Sequence, residues 1–213
     1  MRMTGYVLLV FLSLAIAAYA LLSYGLRPLD SVIDPLLGVT FQAHKAALYS
    51  HVFAAAVALG LGAFQFSTRL RTRRPQLHRW MGRIYLGVGV LVGGIAGLIM
   101  STHAFGGTPA RLGFGTLAVV WLFTGARAYL AIRGGDIATH RRWMVRNFSL
   151  TFAAVTLRLY LPISGVAGVP FEVAYPIIAW IAWVPNLIVA EWWFNRRASM
   201  PEIISKTLRV PAA

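Results

Sequence analysis

His78-Arg79-Trp80-Met81-Gly82-Arg83 and His140-Arg141-Arg142-Trp143-Met144-Val145-Arg146 are two versions of one basic-aromatic phrase. Each stands where a charged connection gives way to a long apolar run, which places one histidine at the mouth of an expected transmembrane helix. Working outward, a Gly-Ala pair precedes each phrase: Gly62-Ala63 lies sixteen residues before His78, and Gly125-Ala126 fifteen before His140. Both units read helix, arginine-bearing connection, His-Arg, Trp-Met, Arg, helix. Such a repeat predicts two parallel hairpins related by an axis along the membrane normal, with the two histidines at equivalent positions.

Composition sets the surroundings of this repeat. Of 213 residues, 58% are hydrophobic and 12% charged, and the mean hydropathy is +0.68, the balance of a chain that crosses a bilayer repeatedly. In a soluble protein a formal charge of +14 would suggest nucleic acid. Here the arginines fall between apolar runs and read as loop charges under the positive-inside rule, with no nucleic-acid partner. The absence of cysteine excludes disulfides, thiolate metal sites, iron-sulfur clusters and covalently attached c-type haem. There is no His-Glu-x-x-His and no phosphate-binding glycine loop, and six acidic residues are too few for a conventional carboxylate metal or hydrolytic centre.

The expected fold is an all-α integral membrane protein, a single membrane domain over 1–213. Its six transmembrane helices are expected at about 5–25, 47–67, 80–102, 112–132, 143–162 and 172–194. The run Tyr6 to Tyr24 reads as a retained first helix rather than a signal peptide. Spans two to five form a four-helix core built from the two hairpins, and 198–213 reads as a short cytoplasmic tail. Arg69, Arg71, Arg73, Arg74, Arg79, Arg133, Arg141 and Arg142, together with Arg196, Arg197, Lys206 and Arg209 of the tail, fall on one side. The other side holds only Arg27, Lys45 and Arg111 as basic residues, so both termini are expected in the cytoplasm of a bacterium, with the chain in its inner membrane. Residues 26–46, on the outer side, are expected to form a re-entrant or interfacial segment.

Two polar stripes mark faces that avoid lipid. His44, His51, Ala58 and Gln65 are heptad-spaced on the second span; His140, Met144, Asn147, Thr151, Ala154 and Arg158 share one face of the fifth. Unmatched polar groups in hydrocarbon are costly, so these faces imply a protein or cofactor opposite. Arg158 lies about 27 Å along its helix from His140 at standard rise, toward the outer side, where Glu172, a lipid phosphate or a cofactor carboxylate are possible partners. Glu191, near the inner end of the sixth span, is expected to pair with Arg196 or another inner arginine. Gly89, Gly93 and Gly97 form a small-residue ridge on the third span, read first as close helix packing and second as room for a flat macrocycle.

The set formed by His51, Gly62-Ala63-Phe64-Gln65-Phe66, Pro75 through Tyr85, Gly134-Gly135-Asp136, His140 through Arg146 and Thr156-Leu157-Arg158-Leu159 resembles a bacterial membrane-protein family, domain of unknown function 2306. The resemblance covers 44–162 and implies a multi-pass membrane protein with no established reaction. More loosely, four core helices with histidines near both faces are similar to transmembrane di-haem cytochromes b. That similarity implies haem b held by His78 and His140 on the inner side and by His51 and His103 on the outer side, with these four as iron ligands. Arg79, Arg83, Arg142, Arg146 and Arg158 would then be cofactor-binding residues, those beside the inner pair neutralising propionates. His78 and His103 are about 37 Å apart along one helix, so both sit shallow. The functional expectation is an electron-transfer protein of b-type cytochrome character, working with the bilayer and a quinol or membrane redox partner. The alternative is a membrane accessory subunit or small carrier without haem.

Overall fold

The computed structural model describes residues 3–192 and 194. The expected tail, 198–213, and the basic residues Arg196, Arg197, Lys206 and Arg209 lie outside the described residues. Six helices are long and apolar enough to cross a membrane: Met3–Leu26, Lys45–Gln65, Pro75–Ser101, Gly107–Arg133, Ile137–Val166 and Phe171–Trp192, spans one to six below. Every expected span is present. The third, fourth and fifth begin about five residues earlier than hydropathy suggests, because helix starts recruit polar residues that a hydropathy window rejects. Pro75 takes the first turn of its helix, where a missing N–H costs nothing. Asp136 caps the fifth span by accepting from the Thr139 N–H at 2.9 Å. That bond holds the exposed Asp136 carboxyl below the usual carboxylate range.

An even number of spans returns both ends of the described chain to one face. The same face carries the connections with Arg69, Arg71, Arg73, Arg74, Arg133, Arg141 and Arg142, and is called the arginine-rich face. Spans two to five pack on one another; span one lies on spans two and five, and span six on spans four and five.

Lipid tails are as apolar as leucine, so helices in a bilayer associate through close contact and polar bonds. Both are present. A Cβ at Gly89 would meet the Ala58 Cβ at 2.7 Å and its Cα at 3.0 Å, so spans two and three touch backbone to backbone. Gly93 faces Ala54 and Trp121, and Gly97 faces His51. The ridge is therefore closed by the second and fourth spans, as the packing reading expects.

The polar bonds form a network at the centre of the core. The Tyr85 hydroxyl, fully buried, donates to Asn147 Oδ1 at 2.6 Å and lies 2.8 Å from Thr151 Oγ1. Trp121 Nε1 donates to Thr151 Oγ1 at 2.9 Å. Asn147 Nδ2 donates to the Trp121 carbonyl at 2.7 Å and to Thr124 Oγ1 at 2.8 Å. Every heteroatom of the Asn147 amide is engaged, and spans three, four and five are tied at one level. Tyr85 opens a π-helical stretch, Tyr85–Val92, that widens the third span before α-helix resumes at Gly93. The fifth span also breaks, at Phe152, with Val155 N–H bonding the Phe152 carbonyl. Just beyond, Asn186 Nδ2 of the sixth span donates to Thr156 Oγ1 at 3.2 Å, and Thr156 Oγ1 donates to the Ala182 carbonyl.

Two outcomes are expected. Intramembrane hydrogen bonds average ~0.6 kcal/mol and reach ~1.7, so Tyr85→Phe is expected to lower unfolding free energy by about 1 kcal/mol and Asn147→Leu by about 2–3 kcal/mol, with non-additive losses in the double variant, measured by steric trapping in bicelles. Gly89→Val is expected to cost about 1–3 kcal/mol or more through overpacking, and to deplete the monodisperse peak in size-exclusion chromatography. Gly87→Ala, where a Cβ meets nothing within 4 Å, should leave that peak unchanged.

Candidate functional site

Beyond the network, in the half of the bundle remote from the arginine-rich face, all six spans line a cavity of about 350 Å³. Thr151 and Trp121 form its floor, and Ile33, Leu37 and Phe41 close it from above. These last residues belong to the connection between spans one and two. This connection folds as a 3-10 turn, Leu29–Ser31, and a short helix, Pro35–Ala43, started by Asp34 accepting from the Leu36 N–H at 2.9 Å. The expected interfacial segment is thus a roof.

Among the polar side chains that border this mostly apolar space are Arg158, His51, Tyr19, Tyr24 and Tyr175, with Asp34 on the side of the roof. Arg158 Nη1 donates to the Ala154 carbonyl at 3.1 Å. That acceptor lies one turn back toward the middle of the bilayer. Long basic side chains near a helix end ordinarily snorkel toward the nearer headgroups, and this one turns the other way. Tyr24, Tyr19, Tyr175 and His51 are within its electrostatic range. No carboxylate pairs with it among the described residues; the ion pair present there joins Arg146 and Glu191.

His51 Nδ1 is 2.8 Å from the Gly93 carbonyl. A carbonyl only accepts, so Nδ1 carries the hydrogen and Nε2 is left as an acceptor in the neutral ring. A Cβ at Gly97 would lie 2.8 Å from Nδ1, so the ring rests on bare backbone and fills the space that glycine leaves. His103 is placed apart from it, at the turn after the third span. Its ring lies against that of His44, tilted by 39° with centroids 3.9 Å apart, and its Nδ1 is 2.8 Å from Thr102 Oγ1. His51 borders the cavity and His103 does not.

At the arginine-rich face His78 and His140 come within electrostatic range of one another. His140 Nδ1 donates to the Ala128 carbonyl at 2.9 Å, which leaves its Nε2 as an acceptor. Among the described residues His78 Nδ1 is buried with no hydrogen-bond partner, and so is Gln65 Nε2 near the end of the second span. The surrounding arginines have different employment. Arg83 lies over Trp80 at 5.1 Å and Arg146 over Trp143 at 4.8 Å; Arg146 also holds Glu191 in a two-point pair, with Nη2 to Oε2 at 2.8 Å. Arg79 is within electrostatic range of His78, and Arg142 is exposed near Asp136.

A bis-imidazole iron site needs two rings with free nitrogens facing one slot. Of the inner pair, His78 Nδ1 has no hydrogen-bond partner among the described residues and His140 Nδ1 is engaged by the Ala128 carbonyl. The outer pair is engaged separately, His51 with the third span and His103 with His44. Among the described residues no three histidine or carboxylate side chains cluster as a metal site.

Several residues of this geometry carried no signal in the sequence stripes. Tyr24 and Tyr175 come from the flanking spans, and their meeting with Arg158 depends on tertiary placement alone. Tyr85 did carry one: it stands seven residues after His78, as Asn147 stands seven after His140, and the two are bonded.

The family described as predicted membrane protein (DUF2306) matches residues 48–194. That stretch runs through the sixth span, beyond the 44–162 that the motifs cover. No curated protein and no solved structure matches the chain. With spans three to six and nearly all of span two inside the match, the chain belongs to the DUF2306 family of predicted membrane proteins.

Proposed function

We propose that this protein is a membrane-embedded binding protein, a small carrier that holds an amphipathic molecule in the cavity formed by its six spans. The observation that carries this reading is Arg158: a part-buried guanidinium hydrogen-bonded back toward the bilayer centre, bordering a cavity, with no carboxylate paired with it among the described residues. An unpaired charge within a membrane span is costly, and a bound polar head of opposite charge offsets that cost. The polar face of the fifth span is then the wall of a site, and the network below it is the rigid floor. The positive-inside rule supports a bacterial inner-membrane location with both termini in the cytoplasm, which puts the cavity in the outer leaflet. Native mass spectrometry of protein released from nanodiscs is expected to show a co-purifying amphiphile. Ala154→Phe, which fills the cavity beside Arg158, should remove that amphiphile while leaving the unfolding temperature within a few degrees. Wild-type protein that carries no amphiphile and takes up no apolar probe would overturn the reading.

One observation favours a second reading, electron transfer by a b-type cytochrome. The buried Nδ1 of His78 has no hydrogen-bond partner among the described residues, and His78 is within electrostatic range of His140, whose Nδ1 is held by the Ala128 carbonyl. A haem b held by these two would supply one-electron transfer with a quinol or membrane redox partner. The residues of the chain would hold the iron by two imidazoles and surround it with basic charge. Reduced-minus-oxidised absorbance of purified protein should then show a Soret band that His140→Ala abolishes; a colourless, folded, iron-free protein would sink it.

A further inference from the structure

Resting on the binding role proposed above, we infer that the occupant of the cavity is a long-chain carboxylate, a single-chain acid whose head pairs with Arg158 and whose tail lies along the apolar wall. The guanidinium is permanently charged and has five N–H donors, of which one is engaged by Ala154. Its planar fork matches the two oxygens of a carboxylate. The phenols of Tyr24 and Tyr175 border the same space within its electrostatic range and supply further donors. The same space is lined by Ile16, Leu48 and Val52, which suits an alkyl chain.

Access and depth select among anionic amphiphiles. Tyr19 borders the cavity and is 48% exposed on the first span. The opening is therefore lateral, into the bilayer, where a single-chain acid resides. Arg158 stands eight residues before the end of its span, about 12 Å below that end at standard rise, beneath the Pro35–Ala43 roof. A diacyl phospholipid that reached it would have to bury its glycerol and second chain as well. Asp34 also borders the cavity from the roof, and its negative charge disfavours a doubly charged phosphate head more than a singly charged carboxylate.

The test uses the full chain in nanodiscs of zwitterionic lipid. Binding of a fluorescent long-chain carboxylate is titrated against its methyl ester and a lysophosphatidate of equal chain length. A charge-assisted pair implies about 10- to 100-fold tighter binding of the acid than of the ester. Arg158→Gln should abolish that preference, and Arg158→Lys should keep part of it. Equal binding of acid and ester to wild-type protein, with Ala154→Phe blocking both, overturns the carboxylate and leaves the binding role standing. Tighter binding of lysophosphatidate overturns it in favour of a phosphate head. No binding of any of the three overturns both readings. If Arg158→Gln does not fold, the wild-type ratio of acid to ester decides, with Tyr24→Phe as the second variant expected to lower it.

Discussion

The hydrogen bonds that converge on Asn147 are the constraint from which the rest of the molecule follows. In a bilayer an amide that finds no partner is expensive, and one that finds three fixes the helices supplying them. Tyr85, Trp121, Thr124 and Thr151 leave spans three, four and five a single mutual register. Once that register is set, Gly62 lies against Tyr85 and Phe148, and Gly125 against Val90 and Asn147. Larger side chains at either glycine would push the network apart. Span one and span six then close around the core, and the cavity is the space left among the six spans in the half remote from the arginine-rich face.

Much of this was legible in the residues themselves, for physical reasons that differ from element to element. The spans are visible because a hydrocarbon core admits only apolar runs of sufficient length. The inward faces of spans two and five are visible because polar residues at helical spacing cannot face lipid, and Met144, Asn147 and Thr151 are indeed buried. The partnership of Glu191 with an inner arginine was legible as well, since so few acids are present among so many basic residues; that it is Arg146 depends on which side chains the packing brings level.

The rest depends on geometry that spacing cannot carry. His51 and His103 share a side of the membrane, yet one turns onto the third span and the other onto His44, a matter of helix rotation rather than depth. Tyr24 and Tyr175 sit in spans with no polar stripe, so nothing in their neighbourhoods marks them as companions of Arg158. The glycine ridge was ambiguous between packing and space, and the backbone contact at Ala58 resolves it. The matching place of Tyr85 and Asn147, each seven residues after a histidine of the repeated phrase, was available in the sequence. It becomes meaningful only when the two side chains are seen to bond.

The π-helical stretch from Tyr85 to Val92 gives the third span two phases. A residue added to or removed from an α-helix rotates everything beyond it by about 100°, and a π turn absorbs such an offset locally. At its start Tyr85 is aimed at span five; beyond its end Gly93 and Gly97 are aimed at span two. The third span therefore behaves as a splice between two helices with separate alignments. One half is indexed to the hydrogen-bonded floor and the other to the wall of the cavity, so each can drift in evolution without dragging the other out of register.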